Sequence, residues 1–292
     1  MTNEKALARK RLILYLFFAF AIAWIPWIIL NMTVGFDQWF QGDLAPSFLW
    51  LLLISGGGPA IANILTRIIT KEGWENSLLH LRLKGNLQYY LIAVLVPLAA
   101  GLLRGLSLTI YAGDFSAGSE LNAMQMTATA AAAVSNSLII AFNTFGEEFG
   151  WRGYMNPKME SLLGKPATVL IGGVIWGIWH APLTVCGHNF GRDYPGFPWL
   201  GIVLMSLFCI GTGCFLMWLT DRSKSIFPAS IAHSAINNGS AIISALMVFG
   251  VAEDTKPTFP LLLMIFLPMT VIYALFAILL FRKRPVRTAS AE

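Results

Sequence analysis

Long apolar runs alternate with short polar links along the whole chain. The runs cover roughly 12–30, 46–69, 88–112, 126–146, 167–187, 197–219, 226–249 and 258–281. Each is about as long as the ~20 residues a helix needs to cross the hydrocarbon core of a bilayer. An open sheet is excluded there, because its edge N–H and C=O groups would find no partner in lipid. The pattern therefore predicts an all-α polytopic membrane bundle of about eight transmembrane helices. Neither of the longer links, about 69–87 and 147–166, has enough chain for a core of its own, so residues 1–292 read as a single membrane-embedded domain. Gly56-Gly57-Gly58-Pro59 should break or kink the second helix. The fourth, rich in Ala, Ser, Thr and Asn, is expected inside the bundle, where small residues let helices approach closely.

Composition agrees with this pattern. Of 292 residues, 56% are hydrophobic and only 12% charged, against about 25% charged in soluble domains. The net charge of +5 would suggest nucleic acid until the cations are placed. Lys5, Arg9, Lys10 and Arg11 precede the first run; Arg67, Lys71, Arg82 and Lys84 follow the second; Arg152, Lys158 and Lys165 follow the fourth. Arg222 and Lys224 follow the sixth, and Arg282, Lys283, Arg284 and Arg287 the last, leaving Arg192 and Lys256 for the other side and Arg104 within the third. By the positive-inside rule both termini are expected in the cytoplasm. The basicity is thus topological, and no nucleic-acid partner is implied. The first run is too long for a signal-peptide core and reads as a retained helix. Cys186, Cys209 and Cys214 form neither a redox nor a zinc pattern.

Ionisable groups inside membrane helices are costly and mark function. Four places carry them: Glu147-Glu148 with Arg152, His180, His233 with Asn237, and Arg104. Adjacent helical residues point about 100° apart, so the two glutamates cannot share a target. Glu148 and Arg152 stand at i, i+4 in the favourable order for an ion pair, which leaves Glu147 to face a site. His233 and Asn237, also i, i+4, present to one side of their helix. His180 is expected about 20 Å into the fifth helix, near mid-membrane. A semi-desolvated carboxylate can act as general base on water, an imidazole can orient that water, and His plus Asn can hold an oxyanion. The same residues, Glu147, His180 and His233, are also the His₂Glu ligand set of a catalytic zinc. Spacing leaves both readings open.

Three motifs carry a family resemblance. Glu147-Glu148-Phe149-Gly150-Trp151-Arg152 resembles the E-E-x-x-x-R motif of the CPBP family, the CaaX-protease and bacteriocin-processing intramembrane peptidases. Trp176-Gly177-Ile178-Trp179-His180 is similar to its F-x-x-x-H motif, with Trp176 where the family usually has phenylalanine. His233-Ser234-Ala235-Ile236-Asn237 is similar to its H-x-x-x-N motif. The resemblance covers a motif-bearing core at 147–237. It implies an eight-helix intramembrane endopeptidase with a cytoplasm-facing cavity, in which Glu147 and His180 activate water and His233 and Asn237 stabilise the oxyanion. Glu148 and Arg152 would support the first motif. The family implies either a divalent metal, zinc, or a metal-free glutamate mechanism. It also implies a peptide or protein substrate, such as a prenylated C-terminus or a bacteriocin leader.

Each motif has a plainer reading when taken alone. Two glutamates and an arginine at a helix end can be a solvated rim, and a histidine in an apolar helix can be a packing residue. Arg104 can snorkel to the outer interface, while His188 and His80 read as a helix-exit and a loop residue. Two other function classes remain: a non-catalytic membrane scaffold or immunity protein of the same fold, and a transporter or haem electron carrier using His180 and His233. In every case the protein is integral to the membrane, the cell membrane in a prokaryote or the endoplasmic reticulum in a eukaryote.

Overall fold

The computed structural model describes residues 3–33, 46–113, 143–246 and 258–282, with the single positions 124, 127 and 140. The described residues are helical, joined by turns and loops. In chain order the helices are α1 (Asn3–Thr33), α2 (Pro46–Gly56), α3 (Gly58–Thr70), α4 (Leu87–Ala112) and α5 (143–150). A π-helical turn (Trp151–Met155) follows, then α6 (Asn156–Leu163), α7 (Lys165–Trp179), α8 (Ala181–Val185), α9 (Trp199–Ser223), α10 (Phe227–Leu246) and α11 (Phe259–Phe281). By length and composition α1, α4, α9 and α11 can each cross a membrane, and α7 is apolar but shorter. These are the helices of an integral multi-pass membrane protein. The span expected at 126–146 lies outside the described residues, apart from positions 127, 140 and 143–146.

Two of the expected helices are broken, each for a local reason. The run 46–69 divides at Gly57, and Pro59 occupies the first turn of α3, where its missing N–H costs nothing. The run 167–187 was expected as one helix. It instead ends at Trp179, with His180 as the hinge and Pro182 in the first turn of α8. A proline at 182 cannot donate to the carbonyl of Ile178, and its ring crowds that oxygen. His180 therefore sits at a break and not within a continuous helix.

The bundle is held by aromatic packing and by close backbone approach. Trp151 and Trp179 meet edge to face, as do Trp27 and Trp179 and Tyr15 and Trp151. The Trp179 indole donates to the carbonyl of Ala19 at 3.1 Å, and that of Trp24 donates to the carbonyl of Trp179 at 2.9 Å. These bonds fix the end of α7 against α1. Where α5 crosses α3, a Cβ on Gly150 would lie 2.3 Å from Cβ of Pro59, so only glycine permits this crossing. The outward faces of α1, α4 and α11 expose Phe17, Leu95 and Ile278, the surface expected toward lipid tails.

Candidate active site

Glu147 and Glu148 lie at the end of α5, immediately before the π-helical turn, and both are buried. Single π turns inside α-helices recur at functional sites. The two carboxylates diverge as their spacing requires. Glu147 Oε2 accepts a hydrogen bond from Trp176 Nε1 at 2.9 Å. Glu148 Oε1 accepts from Arg152 Nη1 at 3.0 Å, completing the buried i, i+4 ion pair. The same oxygen accepts from His233 Nδ1 on α10 at 2.9 Å. Because a carboxylate only accepts, Nδ1 carries the proton, and Nε2 is the ring nitrogen left for other partners.

His180, at the α7–α8 break, places Nδ1 2.9 Å from the carbonyl of Trp176. A carbonyl also only accepts, so Nδ1 is the donor here and Nε2 of the neutral ring holds a lone pair. Trp176 thus joins three parts of the site. Its indole N–H holds Glu147, its carbonyl holds His180, and its ring meets the His233 ring edge to face with centroids 5.2 Å apart. The Arg152 guanidinium stacks over the same ring at 4.2 Å, a favourable cation–π distance.

These side chains line one cavity of about 560 Å³, within the range of small-molecule and peptide sites. Glu147, His180, His233 and Asn237 all border it, while Glu148 and Arg152 stand behind His233 and Trp176. Its walls are mixed: Trp27, Trp179, Met205, Phe208, Phe266 and Met269 supply the apolar surface. His80 lies exposed in the link between α3 and α4 and does not border the cavity. Among the described residues, no three His, Cys, Asp or Glu side chains are grouped so as to hold a metal ion. Glu147, His180 and His233 border the cavity without forming such a set in this geometry.

Residues 127–239 match the family model described as type II CAAX prenyl endopeptidase, Rce1-like, a stretch that contains all three motifs. That stretch is similar to the CaaX-protease peptidases that the motifs resemble. A curated relative, the CAAX prenyl protease 2 of Methanococcus maripaludis, is 27% identical over 121 residues. That match covers 41% of this chain and 42% of the relative, so the chain matches less than half of the relative's length.

Two features of the site were not anticipated from sequence. Trp176 stands where the second motif usually has phenylalanine, and the aromatics of its helix were expected toward lipid or the interface, but it is buried. A buried indole N–H needs an acceptor, and here that acceptor is Glu147. Arg104 and His188, expected to have interfacial or structural roles, both border the cavity. The α4 helix is apolar around most of its circumference, so its sequence carries little sign of which face Arg104 takes.

Proposed function

We propose that this protein is an intramembrane endopeptidase of the CaaX-protease type, with Glu147 as general base. The observation that carries the reading is the joint placement of Glu147, His180, His233 and Asn237 around one cavity, with Glu147 and His233 each fixed by a separate hydrogen-bond partner. In this scheme Glu147 takes a proton from water while Nε2 of His180 accepts the other water hydrogen and orients it. The hydroxide adds to the scissile carbonyl, and the new oxyanion is held by the Asn237 amide and by Nε2–H of His233 in its imidazolium form. Glu148 balances that imidazolium through Nδ1. As the C–N bond breaks, the proton on Glu147 passes to the departing amine. Glu147 is thereby restored, and acid and amine products leave. Fixed donors at the point where charge develops are worth several kcal/mol in comparable sites.

The relative's name gives a prenylated C-terminus priority over a bacteriocin leader as substrate. Glu147→Gln tests the chemistry. It keeps size and hydrogen bonding but cannot take a proton, so cleavage of a farnesylated peptide by the purified protein should fall by at least about 10²-fold. Folding should persist, since an amide is cheaper to bury than a carboxylate. Chelator treatment in parallel separates the mechanisms: reversible loss of wild-type activity would favour Glu147, His180 and His233 as metal ligands, and unchanged activity the glutamate route. A Glu147→Gln protein that cleaves at the wild-type rate would move the assignment to a non-catalytic scaffold.

A further inference from the structure

α7 begins where α9 and α11 end, and these three helix ends border a second cavity of about 370 Å³, within the size of small-ligand sites. No described residue lines both this cavity and the catalytic one. Lys165, Arg222 and Arg282 bring three positive charges to it, against one acidic side chain, Asp221. Asp221 is paired with the Lys165 ammonium. Arg222 Nη2 donates to the carbonyl of Leu279 at 3.4 Å, which uses one of the five guanidinium donors. Among the described residues neither Arg222 nor Arg282 forms an ion pair.

The rest of the cavity is apolar. Trp218 and Leu280 are buried in it, while Leu279 and Phe281 are exposed on α11, the helix whose outward face is expected toward lipid tails. The indole Nε1 of Trp218 is buried without a hydrogen-bond partner, although a buried indole N–H normally has an acceptor. Charge and polarity together select the occupant. A soluble anion would use the guanidinium groups but leave Leu279 and Phe281 in contact with nothing, and an apolar helix would do the reverse. A phospholipid uses both, because its phosphate suits the guanidinium forks and its acyl chains suit the exposed apolar side chains. Basic pockets between membrane helices hold anionic headgroups in this way. A headgroup that carries its own ammonium would be repelled by the two arginines. Lys283, Arg284 and Arg287 follow Arg282 directly in the sequence and strengthen the preference for negative charge.

We propose that the cleft between the ends of α7, α9 and α11 binds an anionic phospholipid, with its phosphate on Arg222 and Arg282 and its acyl chains on Leu279 and Phe281. Bound there, the lipid ties the start of α7, the helix that carries Trp176 and His180 at its other end, to α9 and α11. Occupancy depends on the membrane-embedded fold and not on turnover.

Purified full-length protein in an uncharged detergent is titrated with phosphatidylglycerol, or with phosphatidylcholine of the same acyl chains, and bound lipid is counted by native mass spectrometry. Phosphatidylglycerol should bind about 10- to 30-fold more tightly, as expected for two basic side chains beside a headgroup. Arg222→Gln with Arg282→Gln should bring that ratio close to one, and Arg222→Lys with Arg282→Lys should keep most of it. Glutamine at 222 can still donate to the Leu279 carbonyl, so the first pair should fold, and size-exclusion elution checks this. Arg82 and Lys84 are exposed in the link between α3 and α4 and do not line the cavity. They lie at the same end of the bundle, where Asn86 Nδ2 donates to the carbonyl of Ser223 at 3.4 Å. Arg82→Gln with Lys84→Gln removes the same charge and should leave the ratio unchanged. Equal binding of the two lipids by wild type would overturn the site, and so would an equal loss in the Arg82 and Lys84 variant, which would reduce it to general surface charge. Glycerol 3-phosphate at the lipid's concentration should not displace the lipid; if it does, the occupant is a soluble phosphate and the phospholipid assignment fails. No cleavage is read, so a Glu147→Gln protein that cleaves normally would leave this result standing.

Discussion

The indole Nε1 of Trp176 stands 2.9 Å from Oε2 of Glu147, while the carbonyl of the same residue accepts from Nδ1 of His180 at 2.9 Å. One residue therefore sets the position of both groups proposed to handle the water. The CPBP motif usually has phenylalanine here, which would keep the ring beneath Arg152 and beside His233 but offer Glu147 no donor. A hydrogen bond to a charged group is worth about 1.5–3 kcal/mol, and part of that is recoverable from water entering the cavity. Trp176→Phe should accordingly lower kcat about tenfold with little change in KM, leaving the protein folded. In a Glu147→Gln background the same change should have almost no further effect, because residues acting as a unit are not additive. Independent, multiplying losses would show that Trp176 acts by packing alone.

Glu148 Oε1 serves two partners, Arg152 and His233, and this separates folding from catalysis. Removing one member of a buried pair leaves an uncompensated charge and costs about 3–5 kcal/mol, so Glu148→Ala and Arg152→Ala should each give poor yields. Exchanging the pair, Glu148→Arg with Arg152→Glu, should recover part of the yield because the ion pair can re-form. It should not recover turnover, since His233 then faces a guanidinium that cannot accept from Nδ1. Detergent-extracted yield and peptide cleavage, measured on the same preparations, check the two halves. Recovery of turnover together with yield would mean that Glu148 does not position His233.

Much of this site was legible locally. The divergence of Glu147 from Glu148 and the Glu148–Arg152 pair follow from helical geometry within one turn, and the break at Gly57 follows from a Gly-Gly-Gly-Pro run. The contact between Glu148 and His233 joins residues 85 positions apart, and no periodicity encodes it. The interruption at His180 was written in Pro182, but the hydropathy of 167–187 passes through it without a change. Arg104 was hidden for another reason. On a helix apolar on nearly all sides, one polar residue shows that a special environment exists without showing where it lies.

Outside the membrane-crossing helices, Glu72 ties three elements together. Its carboxylate accepts from Tyr154 Oη at 2.7 Å, pairs with Arg11 at 3.3 Å, and contacts the Lys158 ammonium. Burial alone would raise its pKa, but hydrogen bonds from Lys158 and Tyr154 and the charges of Lys158 and Arg11 outweigh this and hold it below the ordinary carboxylate value. In the acid range the unfolded chain then binds this proton before the folded one does, so acidification favours unfolding. The contribution is complete above the ordinary carboxylate pKa and is lost as pH falls through the depressed one. Wild type should melt at a higher temperature than Glu72→Gln at neutral pH, and the gap should close on acidification. A gap that stays constant with pH would assign the role of Glu72 to its shape rather than its charge.

The last test concerns how α7 presents Trp176 and His180 to the cavity. A Cβ on Gly177 would stand 2.4 Å from Cα and 2.5 Å from Oγ of Ser206 on α9, and one on Gly173 would stand 2.6 Å from Cα of Ile210. The two glycines lie one turn apart and let α7 pack against α9 almost backbone to backbone, as small residues do between membrane helices. Gly213, also on α9, has nothing within 4 Å of the same position. Alanine at 177 must push α7 away, at a cost of about 1–3 kcal/mol for overpacking. Alanine at 213 should be neutral or stabilising by up to about 1 kcal/mol, from reduced freedom of the unfolded chain. Because Trp176 and His180 flank Gly177 on either side, the displacement carries both of them. A shift of about 1 Å in a positioned group can cost about 10²-fold in rate, so Gly177→Ala should lose far more turnover than its fall in melting temperature accounts for. Gly213→Ala, assayed beside it, should keep wild-type turnover. If Gly177→Ala melts and cleaves as wild type does, α7 is not held by this contact, and the seating of Trp176 against Glu147 must come from the α5 side alone.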